Sequence, residues 1–184
     1  MTKPIGIGAI ESSTGISWID WVSILDGDNG RELDHASIAK IAHDKIVKTA
    51  GNKSAGWWAQ SVAVAYEQYI GRRQPGQRSD GSFEVSVSRT VASDREMAFT
   101  IITEKLHTLD EVNGQAMGSS RASITPVRSY WRGELANGEK ITLAVEAKAP
   151  AKSLATITAA KISSKAGSDK ARVYWKKFLS QFML

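Results

Sequence analysis

The stretch Arg128-Ser129-Tyr130-Trp131-Arg132-Gly133-Glu134-Leu135-Ala136-Asn137-Gly138-Glu139-Lys140-Ile141-Thr142-Leu143-Ala144-Val145 decides the fold. Two alternating runs flank a glycine turn, which is the pattern of a β-hairpin. A two-residue loop at Asn137-Gly138 would put Ile141, Leu143 and Val145 on the same face as Tyr130, Arg132 and Glu134. A three-residue loop, Ala136-Asn137-Gly138, flips one strand relative to the other. Gly138 then supplies the left-handed residue of a bulge after a type I turn. In that register Trp131, Gly133 and Leu135 share a face with Ile141, Leu143 and Val145. The opposite face carries Arg128, Tyr130, Arg132, Glu134, Lys140, Thr142, Glu146 and Lys148. This register is the expected one, because it makes the sheet one-sided, with a mostly basic outer surface.

Outward from the hairpin, the same period of two recurs at 153–163, and earlier at Phe83, Val85 and Val87. Ser93 or Asp94 caps an intervening helix that contains Met97, Phe99, Ile101, Ile102 and Leu106. The strand-like runs after that helix are at about 128–136, 140–149 and 153–163. A last helix is expected over 168–184, starting at Ser168-Asp169. Its Ala171, Tyr174, Trp175, Phe178, Leu179 and Phe182 fall within one arc and can seal the apolar sheet face. Each large side chain contributes roughly 1.5–3 kcal/mol when fully buried.

The first half has a period of 3.6 instead. Ser12-Ser13-Thr14 offers cap hydroxyls for a helix bearing Trp18, Ile19, Trp21, Val22 and Leu25, which Gly27-Asp28-Asn29-Gly30 ends. Asp34 caps a second helix with Ile38, Ile41, Ala42 and Ile46, ending at Gly51. A third runs from about Ser54 to Ile70, with Trp58, Val62, Ala65, Tyr66 and Tyr69 on one face. Trp57 and Val64 lie opposite, and are assigned to a contact with the second domain or another chain, so a homodimer is one expectation. Residues 71–82 have linker composition. The expected architecture is α+β: a three-helix module over 1–78, then a compact helix-grip domain over 79–184 with an antiparallel sheet and a long C-terminal helix.

The chain of 184 residues carries 24 Lys and Arg against 19 Asp and Glu, a net charge of +5. Residues 1–80 are balanced at 9 basic and 9 acidic side chains, so the whole excess lies in 81–184, with 15 against 10. Such an asymmetry can attract an anionic partner. The absence of cysteine removes disulfides, thiol catalysis and thiolate metal sites. His35, His43 and His107 lack metal-ligand spacing and are expected as surface or capping residues. Gly6-Ile7-Gly8 and Gly118-Ser119-Ser120 do not extend into a phosphate-cradling motif, and no nucleophile-elbow sequence is present. The opening residues do not form a signal peptide and no apolar run is long enough to span a bilayer. No cofactor, no metal and a cytoplasmic location are expected.

The order strand, helix, several antiparallel strands and a long C-terminal helix resembles a START-like (SRPBCC, Bet v 1-like) helix-grip domain. Val85-Ser86-Val87-Ser88-Arg89-Thr90-Val91 looks like that superfamily's first strand. Trp131 to Ile141, with Lys152-Ser153 and Tyr174-Trp175-Lys176-Lys177-Phe178-Leu179, is similar to its Hsp90-ATPase-activator-like branch. Gly56-Trp57-Trp58-Ala59-Gln60-Ser61-Val62-Ala63-Val64-Ala65-Tyr66-Glu67 resembles a small helical module found ahead of such domains in bacterial proteins. Residues 106–127 lack the tryptophan-containing segment and the full strand complement that many such domains carry there, so against that family a smaller sheet with less room for a cavity is expected. The resemblance implies noncatalytic binding of a small apolar ligand or of a protein partner. An apolar ligand would sit among Trp131, Leu143, Val145, Ile157, Tyr174 and Phe178. An acidic, co-chaperone-like partner would meet Arg128, Tyr130, Arg132, Lys140 and Lys148. The alternatives are a polyketide-cyclase-like enzyme, with Arg128, Tyr130, Arg132 and Glu134 lining a cleft, and weak nucleic-acid binding by the basic face. Only Tyr130 is available there to stack bases, which weighs against nucleic acid.

Overall fold

A computed structural model describes residues 6–50 and 54–182, and the chain divides into two compact units, one ending at Pro75 and one starting at Gly76. Gly51 lies outside the described residues. Together the units form an α+β protein, helical first and then built on one antiparallel sheet.

The first unit contains α1 (Ile7–Thr14), α2 (Trp18–Gly27), α3 (His35–Ala50) and α4 (Ala55–Tyr69). The three expected helices are α2, α3 and α4, and a short fourth precedes them. Ser12, Ser13 and Thr14 therefore end a helix instead of capping one. Gly15, at φ 70°, closes α1 in the left-handed conformation. Two residues later Ser17 caps α2, its hydroxyl accepting from the Asp20 amide at 3.2 Å. Thr14 is buried and accepts the Trp21 indole N–H at 3.1 Å, so the hydroxyl serves the core. Asp34 caps α3 as expected, accepting from the Ser37 amide at 2.8 Å. Ile10, Trp21, Leu25, Ile38, Ala42, Ile46, Val62 and Tyr66 form the core of this unit. On α4 the buried stripe is Ala55, Ala59, Val62, Ala63, Tyr66 and Glu67. Tyr69, expected on that face, is exposed, and Trp57 is about half exposed (51%).

The second unit runs β1 (Phe83–Val91), α5 (Arg95–His107), β2 (Glu111–Val112), β3 (Gln115–Ile124), β4 (Arg128–Leu135), β5 (Lys140–Ala149), β6 (Lys152–Ile162) and α6 (Lys165–Ser180). The strands form one curled antiparallel sheet in the order β1-β6-β5-β4-β3-β2. The hairpin adopts the three-residue loop. Trp131 pairs with Leu143 and Gly133 with Ile141, the Leu135 amide donates to the Glu139 carbonyl at 2.8 Å, and Gly138 has φ 83°. The apolar positions of β1, β4, β5 and β6 then form one face, on which both helices pack. Ala98, Ile102 and Leu106 come from α5, and Ala171, Trp175, Phe178 and Leu179 from α6. This is a helix-grip arrangement in general outline.

Two expectations are corrected here. Helix α6 starts at Lys165, because Ser164 caps it by accepting from the Gly167 amide at 3.0 Å. The region 106–127 is not empty of strands but contributes β2 and β3, so the sheet is larger than expected. Asn113 (φ 51°) and Gly114 (φ 80°) form the two-residue turn between them. Both positive angles belong to a type I′ hairpin turn, for which Asn-Gly is the preferred pair. No helix among the described residues is long and apolar enough to cross a membrane.

Candidate functional site

The outer face of the sheet is built by the residues between the core positions. Across β4 and β5, Arg128 stands beside Glu146, Tyr130 beside Ala144, Arg132 beside Thr142 and Glu134 beside Lys140. The charges on this face are unequally compensated. Arg128 and Lys148 share one carboxylate, Glu146, at 2.7 and 2.5 Å. Lys148 and Arg128 together hold the Glu146 carboxyl below its usual range through hydrogen bonds. Their positive charge is therefore partly spent on that pair.

The free charge lies one strand further out. Arg121 of β3 stands directly opposite Arg132 on the same face. Like charges in that relation repel. Arg132 is fixed by a hydrogen bond to the Ser123 hydroxyl at 3.0 Å and lies over the Tyr130 ring, 4.5 Å from its centroid. Among the described residues no side-chain hydrogen bond or ion pair engages the Arg121 guanidinium or the Lys140 ammonium. Arg121, Arg132, Lys140 and Glu134, with Ser119, Ser120 and Thr142, line a depression of about 340 Å³. Three positive groups against one negative give its lining a net positive charge.

Two larger depressions sit elsewhere in this unit. One, of about 730 Å³, mixes Asp94, Glu96 and Glu146 with Arg95 and Lys148. The other, of about 700 Å³, has Arg89 and Lys152 beside Ser88 and Thr90. Neither places two cations opposite each other on adjacent strands as Arg121 and Arg132 stand.

Compared with known protein families and curated proteins, the chain matches none.

The six residues expected around an apolar ligand are all brought together, but as packing. Trp131, Leu143, Val145, Ile157 and Phe178 are buried in the core and Tyr174 packs against it. None of the three depressions is lined by any of them. Arg128, Tyr130, Arg132 and Glu134, which would line a cleft in an enzyme, stand on the face opposite that core. The helical unit holds a separate polar cluster. Glu67 is buried, ion-paired to Arg73 at 3.2 Å and in contact with His35 Nδ1 at 3.0 Å, while His35 Nε2 meets Gln60 at 2.8 Å. His107 accepts the Trp131 indole N–H on its Nε2 at 3.1 Å. His107 is itself exposed, as expected, and His35 is half-buried, while each bonds to a buried residue, Trp131 and Glu67. Trp57 is set edge-on against Trp58, with ring centroids 4.5 Å apart, and Val64 is half-buried.

Arg121 was missed by sequence reading because β3 was. The signal that could have found it is Asn113-Gly114, which starts a hairpin and so places a strand after it.

Proposed function

We propose that this is a noncatalytic binding protein that docks an acidic protein partner on the outer face of its sheet. The observation that carries the reading is the excess of positive charge at Arg121, Arg132 and Lys140 against Glu134 alone. A partner carrying carboxylates relieves the repulsion between the two facing arginines, and its attraction is steered by charge. The resemblance to the Hsp90-ATPase-activator-like branch points the same way. Nucleic acid is disfavoured because Arg132 already covers a face of Tyr130, the aromatic ring on that surface available for stacking.

The test is titration of the protein with fluorescent poly-glutamate, poly-lysine and a single-stranded oligonucleotide, at salt from about 50 to 300 mM. Poly-glutamate is expected to bind at low salt and weaken by about tenfold or more over that range. Arg132→Glu combined with Lys140→Glu is expected to abolish it while leaving the melting temperature unchanged. Equal or tighter binding of the oligonucleotide, or poly-glutamate binding that ignores salt, overturns the reading.

A further inference from the structure

The sheet has an open edge beside the charged depression. β2 pairs only with Gln115 and Ala116, the first two residues of β3. The Met117 amide still donates to the Asp110 carbonyl at 2.8 Å, and beyond it β3 is hydrogen-bonded on one side alone, to β4, through Ile124. Residues 118–124 are all exposed. Such an edge presents unpaired N–H and C=O groups and is a template for another strand. Natural edges are fenced by proline, lysine, bulges or a covering loop. Here Gly118, Ser119, Ser120, Ala122 and Ser123 are too small to fence the edge, and Arg121 is the charged side chain on it. The irregularity between Met117 and Ser120 lies at the start of this stretch, leaving 120–124 in regular register with β4. Ile124, at 70% exposure, and Val127, also at 70%, offer apolar contacts at the far end.

Arg121 decides what can occupy the edge. A second copy pairing antiparallel in the register centred on Arg121 would set two Arg121 side chains side by side, each next to an Arg132. Four guanidinium groups without a carboxylate would oppose that pairing. A strand with an acidic residue at the same position instead places a carboxylate about 5 Å from Arg121, measured between Cβ atoms. We propose that the free edge of β3 takes up, by strand addition, an extended acidic segment of the partner, one of its carboxylates facing Arg121. The backbone hydrogen bonds give affinity, and the alternate side chains give specificity. This inference rests on the acidic-partner reading above and specifies how that partner binds.

The test uses the full chain and three labelled peptides of eight residues, read by fluorescence anisotropy. The first alternates glutamate with valine. The second is the same peptide with N-methyl groups on alternate backbone nitrogens, synthesised in both phases. The third alternates lysine with valine. The glutamate peptide is expected to bind, and at least one N-methylated phase to bind about tenfold weaker, because a methylated nitrogen cannot donate to the carbonyls of the edge. Bound glutamate peptide is also expected to slow amide hydrogen exchange in residues 118–124. Arg121→Glu, an exposed substitution, is expected to reverse the preference toward the lysine peptide. Equal binding of the glutamate peptide and both N-methylated phases, with poly-glutamate still bound, refutes strand addition while leaving acidic docking intact. Failure of every acidic probe refutes both. A salt-resistant dimer with residues 118–124 already protected in the absence of peptide assigns the edge to a second copy and overturns the inference.

Discussion

Replacing Gly133 with alanine tests the packing that makes the sheet one-sided. A Cβ at that position would lie 2.5 Å from Cη2 of Trp131 and 3.1 and 3.2 Å from two further ring atoms. Ordinary contact requires about 3.4–4 Å, so the indole would have to retreat by about 1 Å. It has no easy route. Trp131 is 1% exposed, packed among Leu143, Ile157 and the helices, and its N–H is held by His107. Overpacking of this kind costs roughly 1–3 kcal/mol. Restricting the unfolded chain returns about 0.4–1 kcal/mol of that. The net destabilisation is about 1–2 kcal/mol, which for a unit of about a hundred residues lowers the melting temperature by roughly 4–15 °C. Differential scanning calorimetry, with tryptophan fluorescence as a second probe, measures it. Combining Gly133→Ala with Trp131→Phe removes the clashing ring atoms, so the double variant is expected to be more stable than the sum of the two single losses. An additive pair, or a Gly133→Ala variant as stable as the parent, would show that the indole does not lie on Gly133.

Two predictions concern the helical unit. Gly30→Ala would set a Cβ 2.7 Å from the Leu25 carbonyl oxygen and 3.0 Å from the Tyr66 ring, and is expected to destabilise this unit by about 1–3 kcal/mol in a denaturant melt, whereas Gly8→Ala, with nothing within 4 Å, is expected not to. Burial, followed by donation to Asp26 at 2.5 Å, pushes the Tyr66 phenol from 10.0 up to about 12. Because the folded value is the higher one, the associated stability is complete below pH 10 and drains away as pH rises toward 12. Melting temperatures over that interval are expected to fall more steeply in the parent than in Tyr66→Phe, and parallel slopes would refute the assignment.

The hairpin was legible because two independent constraints agreed. A turn glycine at 138 and an apolar alternation that works in one register leave little freedom. The cap at Asp34, the strand at Phe83 and the aromatic arc of α6 were legible for a similar reason, since periodicity and capping are local. β3 was not. Its sequence, Gln-Ala-Met-Gly-Ser-Ser-Arg-Ala-Ser-Ile, is exposed along most of its length, so nothing selects an apolar alternate and its period cannot be seen. The buried Glu67 was hidden in the same way, because its partners His35 and Arg73 come from outside its own helix.

The amino-acid sequence by itself determined the α+β class, the change from helical to strand periodicity near residue 83, and which faces of β4 and β5 are apolar and basic. These are consequences of local propensity and of side-chain period. Only the tertiary structure decided that five of the six residues expected around a ligand are buried in the core, with Tyr174 packed against it. It also decided that Glu146 neutralises part of the basic face, and that Arg121 arrives opposite Arg132 on an open edge. Those outcomes depend on which distant segments meet, and a one-dimensional pattern does not carry the distance between them.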